Sequence, residues 1–163
     1  MNSTRKRGRR IRRMVAASAV AVGTIAATAT VAAADESCTS GTGYVTCFSV
    51  TDVGNNDYAI HIGIDVEMSQ QDAQTFIDHP GEEFSGTMMG EDYIWDNALF
   101  DIPVTWSAAW EGGLSAEFDV VVDGSQLNED WEGEDEVYGR VRLWDPRTGD
   151  TRTFTTDVFS HYY

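Results

Sequence analysis

The sequence predicts a mainly β protein: an antiparallel β-sandwich or barrel of six to eight short strands with one short helix, after a cleaved signal peptide. Two observations predict the β class. Several runs alternate apolar and polar residues with the period of two that half-buried strands show, and turn residues separate these runs. A third observation, the many aromatic side chains after residue 34, predicts a packed core despite the high charge.

The first 34 residues have the three parts of a secretory signal. Residues 1–13 carry seven basic side chains and no acid, residues 14–34 are uncharged, and small residues end the run at Ala34. We expect cleavage after Ala34, which leaves a single acidic domain over residues 35–163, secreted from a bacterial cell into the extracellular space. The arginine pairs leave the general secretory and the twin-arginine routes both open. A retained membrane anchor is the alternative, because the uncharged run could cross roughly 30 Å of hydrocarbon.

Removal of the signal peptide makes the chain more acidic. Four arginines and no lysine remain against 27 Asp and Glu, so the net charge changes from −16 to −23. Such a field repels nucleic acids and anionic membranes and attracts cations or basic partners. We expect a monomer with an unidentified protein or carbohydrate ligand, without nucleic-acid contact, and without membrane contact after signal cleavage. An acidic surface that only keeps the protein soluble is the simpler alternative.

Cys38 and Cys47 lie just inside the predicted mature chain. An even number of cysteines in an exported protein predicts a disulfide bond. Eight residues separate the two, so the bond would close a small loop and hold the N-terminal end of the domain. A metal or redox pair is the alternative, but neither a C-x-x-C spacing nor a neighbouring histidine supports it.

The clearest strand covers residues 58–68, where apolar and polar residues alternate over eleven positions. The turn-forming residues 54–57 join it to the apolar run 44–53 as a hairpin. A second strong turn, residues 145–150, contains Pro146 and Gly149. Further strands are predicted at residues 83–89, 99–106, 114–122, 137–144 and 151–159.

The single helix is predicted to begin after Ser69. Ser69 is a suitable N-cap, and Asp72 follows three residues later, as in a capping box. Ala73 and Phe76 provide one apolar face, and Pro80 ends the helix after two to three turns.

The densest polar segment, residues 128–136, lies between two predicted strands. Calcium takes roughly six to eight oxygen ligands from flexible loops. The segment imitates the first half of an EF-hand loop, but Gly139 stands where the bidentate glutamate should be, so it is not an EF-hand. We expect calcium as the cofactor, with the metal ligands Asn128, Asp130, Glu132, Glu134, Asp135 and Glu136. An exposed acidic loop without a cation is the alternative.

Other acidic segments are also candidates, and the weakest of them is the loop that contains Glu91, Asp92, Asp96 and Asn97. The turn between the first two long strands and the end of a later strand could add calcium ligands: Asp52, Asn55, Asn56, Asp57 and Asp123.

Spacings typical of enzymes are missing. The histidines, His61, His79 and His161, match neither a metal pair on one helix nor an H-E-x-x-H motif, and we expect them at the surface. Ser115 lacks the second glycine of a nucleophile elbow. Carboxylate pairs suited to glycoside hydrolysis are numerous, and none is distinguished from the rest.

The mature chain holds five tryptophans: Trp95, Trp106, Trp110, Trp131 and Trp144. Exposed tryptophans can stack on sugar rings or anchor a protein interface. We expect Trp106 in the core and Trp131 and Trp144 at or beside turns. Arg140 and Arg142 share a strand face with aromatic neighbours and are expected to stack on them.

Three functions follow. The leading hypothesis is a secreted, non-enzymatic binding module that calcium stabilises at residues 128–136. The second is an acidic inhibitor or decoy of a basic exported protein, which would use the charge of −23 for fast association. The third is a small secreted hydrolase whose carboxylate site the sequence does not identify.

Overall fold

Two antiparallel sheets share one hydrophobic core in the computed structural model, which describes residues 36–79, 83–92, 95–128 and 133–163. The predicted fold class, a mainly β sandwich with one short helix, is confirmed. The predicted signal peptide, residues 1–34, lies outside the described residues.

The described residues form ten strands. In chain order these are β1 (Ser37–Gly41), β2 (Tyr44–Gly54), β3 (Asp57–Glu67), β4 (Phe84–Gly90), β5 (Asn97–Ile102), β6 (Val104–Trp110), β7 (Gly113–Asp123), β8 (Asp135–Trp144), β9 (Thr151–Thr155) and β10 (Phe159–His161). Sheet A has the spatial order β1-β2-β3-β7-β6. Sheet B has the order β10-β8-β4-β5, and β9 also pairs with β8. The helix α1 (Gln70–Ile77) connects β3 to β4, and a 3₁₀ turn covers Gly124–Gln126.

Strands in which apolar and polar residues alternate form the core, because alternate residues of a strand point to opposite faces. In β3 the inward residues are buried and include Ile62, which has no exposed surface. Its partner strand β7 buries Phe118, whose ring contacts that of Phe84 in sheet B at a centroid distance of 6.1 Å. A Cβ at Gly86 would lie 2.6 Å from the Phe118 ring, so only glycine lets β4 approach this closely. Burial of each such side chain stabilises the fold by about 1.5–3 kcal/mol.

The described residues form ten strands, whereas the sequence predicts six to eight. The short edge strand β1 was not predicted. The run 99–106 divides at Pro103 into β5 of sheet B and β6 of sheet A, since proline has no N–H to continue the ladder. The run 151–159 divides into β9 and β10, and between them Thr156 hydrogen-bonds to Gly139 through both its backbone N–H and its side chain.

The predicted helix start is confirmed. The backbone N–H of Asp72 donates to the Ser69 hydroxyl at 3.1 Å, and that hydroxyl donates to the Asp72 carboxylate at 2.6 Å. Ala73 and Phe76 are buried against the sandwich. The helix ends at Ile77, and the predicted terminator Pro80 lies outside the described residues. Nowhere in the described chain is there a helix with the length and apolar character needed to cross a membrane.

The predicted disulfide is confirmed between Cys38 and Cys47, which lie opposite each other in the β1–β2 hairpin. Closing this small loop is expected to stabilise the domain by about 2–3 kcal/mol. The hydroxyls of Ser37 and Thr39 both donate to Asp157, so β1 is also attached to the segment between β9 and β10. The predicted β2–β3 hairpin is present, with Asn55 and Asn56 in the left-handed conformation of a tight turn.

Candidate functional site

The outer face of sheet A carries two exposed tryptophans on its edge strand. A β-bulge between Val104 and Trp106 resets the register of β6, so Trp106 pairs with Glu117 and Trp110 pairs with Gly113. Both indoles therefore project outwards, and 48% of Trp106 and 49% of Trp110 is exposed. The prediction that Trp106 is a core residue is wrong, because the bulge rotates it away from the interior.

Trp110 is held in one orientation. Its Nε1–H donates a 2.8 Å hydrogen bond to the Ser115 hydroxyl, which in turn donates to Asp65. A Cβ at Gly112 would overlap the six-membered ring, so the indole lies directly against the glycine backbone. One face of the ring is thus covered by the hairpin, and the exposed half is oriented before any ligand arrives.

A hollow of about 280 Å³ lies beside Trp106, over Gly63 of β3. Its wall includes Trp106 on one side, Cys47 and Glu36 on the other, and the carboxylates of Asp65 and Glu117. Gly63 creates this space, since any larger side chain at that position would project into it.

His61 closes one end of the hollow and is oriented by a carboxylate. Its Nδ1 lies 2.8 Å from Asp119 Oδ1, and Thr105 donates to the second oxygen of Asp119. Burial opposes ionisation of Asp119, but the hydrogen bonds from Thr105 and His61 outweigh it and lower the pKa of that carboxyl. Ser115 bonds to Asp65 while His61 bonds to Asp119, so hydroxyl and imidazole belong to separate hydrogen-bond networks.

The other two histidines are also partnered. His79 Nδ1 lies 2.9 Å from Glu83, and the ring packs edge-on against Trp144. The His161 ring packs edge-on against Tyr58 and Tyr163, whose rings also contact each other.

Charge is segregated between the two sheets. The domain's four arginines lie on β8, on β9 and in the turn between them, so sheet A contains neither arginine nor lysine in any strand. The ionisable side chains that β3 and β7 present on its outer face are His61 and six carboxylates: Asp57, Asp65, Glu67, Glu117, Asp119 and Asp123.

The predicted calcium segment is described in part. Asp130 and Glu132 lie outside the described residues, as does Trp131. Asn128 donates through its side-chain amide to the Tyr163 carbonyl at 3.2 Å. Asp135, the first residue of β8, is fully buried, whereas its neighbours Glu134 and Glu136 are exposed. Calcium binding here stays a prediction.

The additional candidate ligands have local roles. Asp52 accepts a 2.7 Å hydrogen bond from the backbone of Gly54 in the hairpin turn. Asp123 caps the 3₁₀ turn by accepting from both the backbone and the hydroxyl of Ser125, which lowers the pKa of its carboxyl. Among the described residues one cluster has metal-ligand geometry, Glu36 with Cys38 and Cys47, but both sulfurs are joined in the disulfide.

Three comparisons with known proteins give no relationship. A scan against family models finds no match, and searches of curated proteins and of solved structures find no match either.

Proposed function

We propose that the protein is an exported, non-enzymatic carbohydrate-binding module that holds its ligand on the outer face of sheet A. The observation that carries the proposal is the pair of half-exposed indoles, Trp106 and Trp110, on one face of β6. They are four residues apart in an extended strand, so roughly 14 Å separates them. That spacing suits several sugar units of one chain lying along the strand.

Carboxylates beside the indoles favour a sugar over a protein partner. Asp65 and Glu117 line the hollow next to Trp106, and ionised carboxylates accept hydrogen bonds from hydroxyl groups. Aspartate and glutamate are depleted in the centres of protein interfaces, because their carboxylates would lose hydration there without a compensating interaction. An aromatic surface interspersed with acceptors matches the alternating apolar and hydroxyl-bearing faces of a sugar.

Export is part of the proposal. The predicted signal peptide would direct residues 35–163 out of the cell, and the Cys38–Cys47 disulfide is compatible with an oxidising compartment. A neutral polysaccharide outside the cell would not be repelled by the charge of −23.

A carbohydrate array probed with labelled residues 35–163 tests the proposal. We expect binding to at least one neutral polysaccharide, and about tenfold or greater loss of affinity in Trp106→Ala and in Trp110→Ala. Trp95→Ala is the matched control, because Trp95 is 80% exposed but lies outside sheet A, between β4 and β5. Absence of glycan binding, or equal affinity in all three variants, would refute the proposal.

A second candidate function is a decoy for a basic protein, and the charge segregation favours it. A face with carboxylates and without arginine or lysine would accelerate encounter with a cationic surface. The association rate of a lysine decapeptide provides the test. We expect the rate to fall steeply with salt and to be slower for Glu117→Gln than for Glu136→Gln, which removes the same charge on sheet B. Equal rates for the two variants would exclude sheet A as the docking face.

A further inference from the structure

A wide groove lies on sheet B, away from both tryptophans of β6. It has a volume of about 730 Å³ and opens where β5 leaves β4 to cross into sheet A at Pro103. Ser85, Thr87 and Asp101 line it together with Arg140 and Arg142. Half of the domain's arginines therefore face one groove.

Arg140 and Arg142 stand side by side. They are two residues apart on β8, so both project from the outer face of the sheet with their Cα atoms roughly 7 Å apart. The residues directly opposite on both neighbouring strands carry hydroxyls: Thr87 and Thr155 flank Arg140, and Ser85 and Thr153 flank Arg142. Residues paired in this way share a face, so two guanidinium groups lie within a frame of hydroxyl donors.

Neither arginine has an acidic partner among the described residues. The ion pairs that arginine makes there belong to Arg147, which binds Asp72 and Asp145. The stacking predicted for Arg140 and Arg142 is also not found in the described part of the chain, where the arginines that lie over rings are Arg147 and Arg152. In a domain with 27 carboxylates, two neighbouring arginines that form no ion pair with any described residue are unexpected.

Arg140 additionally has a donor that neither protein nor solvent satisfies in the described structure. Its Nε is inaccessible to solvent and has no hydrogen-bond acceptor. A buried donor without an acceptor is destabilising. The terminal nitrogens of the two guanidiniums are the donors that could bind one oxyanion in the groove.

We propose that this groove is an anion site that takes one oxyanion group, a carboxylate or a tetrahedral sulfate or phosphate, on the guanidiniums of Arg140 and Arg142. The two guanidiniums carry two positive charges, which balance one such group, and the charge of −23 disfavours a ligand with further anionic groups. Asp101 accepts a hydrogen bond from Thr87 at 3.3 Å at the far side of the groove. This carboxylate would repel a second anion and would accept from a hydroxyl, which fits a hydroxylated acid such as a sugar acid.

Titration calorimetry with sodium glucuronate, glucose and sodium sulfate, at constant ionic strength in chloride, tests the site. We expect saturable binding of glucuronate or sulfate, and about tenfold or greater weakening in Arg140→Gln and in Arg142→Gln. Arg152→Gln is the matched control, because it removes the same charge outside the groove. Arg140→Lys keeps the charge but loses the planar fork, and we expect it to weaken binding as well.

The outcomes separate the sources of the anion. Tighter binding of glucuronate than of sulfate identifies an acidic sugar, and binding of sulfate alone identifies a free inorganic ion. Three results would overturn the proposal. Glucose could bind as tightly as glucuronate, Arg152→Gln could lose as much affinity as Arg142→Gln, or neither anion could show saturable binding. Circular dichroism of each variant establishes that it is folded. Because Arg142 is an exposed residue, Arg142→Gln keeps the test decisive if Arg140→Gln unfolds.

Discussion

Trp110 and Ser115 are joined across the β6–β7 hairpin by a 2.8 Å hydrogen bond from the indole Nε1–H to the hydroxyl oxygen. The same hydroxyl donates to Asp65 of β3, so three adjacent strands of sheet A contribute to one side-chain network. A fixed indole loses little conformational entropy when a ligand binds, which favours a binding role for this face.

Replacing Ser115 should loosen Trp110. Ser115→Ala removes the acceptor of the indole and the donor to Asp65, and we expect the free energy of unfolding to fall by about 1–2 kcal/mol. The Nε1–H resonance of Trp110 should also exchange faster with solvent. Urea unfolding and NMR hydrogen exchange measure the two effects. Ser107→Ala, an exposed change in the same hairpin, should leave both within error, and an equal effect of the two substitutions would contradict the network.

Filling the hollow beside Trp106 should reduce glycan affinity without lowering the stability of the domain. A Cβ at Gly63 would lie 3.4 Å from His61 Nε2 and 3.8 Å from Cys47, which the strand can accommodate. Gly63→Ala should therefore keep or raise stability by up to about 1 kcal/mol, since glycine weakens a strand interior. Gly63→Val should narrow the hollow and reduce glycan affinity by about tenfold. Unchanged affinity in Gly63→Val, measured on folded protein, would show that the hollow is not used.

Arg147 should contribute stability that depends on pH. Its guanidinium binds Asp145 at 2.9 Å, contacts Asp72 of the helix, and lies over the Phe76 ring. Hydrogen bonds from Arg147 lower the pKa of Asp145, and hydrogen bonds from Ser69 and then Arg147 lower the pKa of Asp72, each from an ordinary value of 3.8. A carboxyl with a lowered pKa in the folded state stabilises the fold above its unfolded pKa and ceases to do so as pH falls through the folded value.

The difference in urea midpoint between wild type and Arg147→Gln should therefore be largest near pH 7 and shrink below about pH 4. Part of the difference should persist in acid, because the contact with Phe76 does not titrate. Arg142→Gln, which removes an arginine that forms no ion pair with a described residue, should show no such pH dependence. A midpoint difference for Arg147→Gln that grows as pH falls would contradict the assignment.

Calcium should raise the melting midpoint if residues 128–136 bind it. At a calcium concentration about 100 times the dissociation constant, stabilisation should reach roughly 2.7 kcal/mol, which corresponds to several degrees in this size of domain. Asp130→Asn combined with Glu132→Gln should abolish the shift, and Asp92→Asn in a different acidic segment should not. A melting midpoint that is the same in calcium and in chelator would contradict calcium binding at residues 128–136.

Local patterns predicted the elements that depend on neighbouring residues. The period of two in β3, the Ser69 cap and the hairpin turn at Asn55 and Asn56 are all encoded within a few positions. Cys38 and Cys47 were predictable as a pair because the chain holds two cysteines.

Features that depend on register between distant strands were not predictable. His61 and Asp119 meet because β3 pairs with β7, 58 residues further along the chain, and no local pattern specifies that register. The core position predicted for Trp106 rested on the usual burial of tryptophan. The bulge after Val104 and the change of sheet at Pro103, which orient Trp106 outwards, have no local signal in the sequence. The hydroxyl frame around Arg140 and Arg142 likewise comes from three strands.

The most direct test of the central claim is NMR mapping of the glycan that binds most tightly on the array. With ¹⁵N-labelled residues 35–163, the proposed site predicts shifts in the amides of β6 and the facing part of β7, in the amide of Gly63, and in the indole resonances of Trp106 and Trp110. The amides of β8 and β9 should stay unchanged. Shifts confined to sheet B or to the loop that carries Trp95, with the two β6 indoles unmoved, would contradict the claim that sheet A is the binding face.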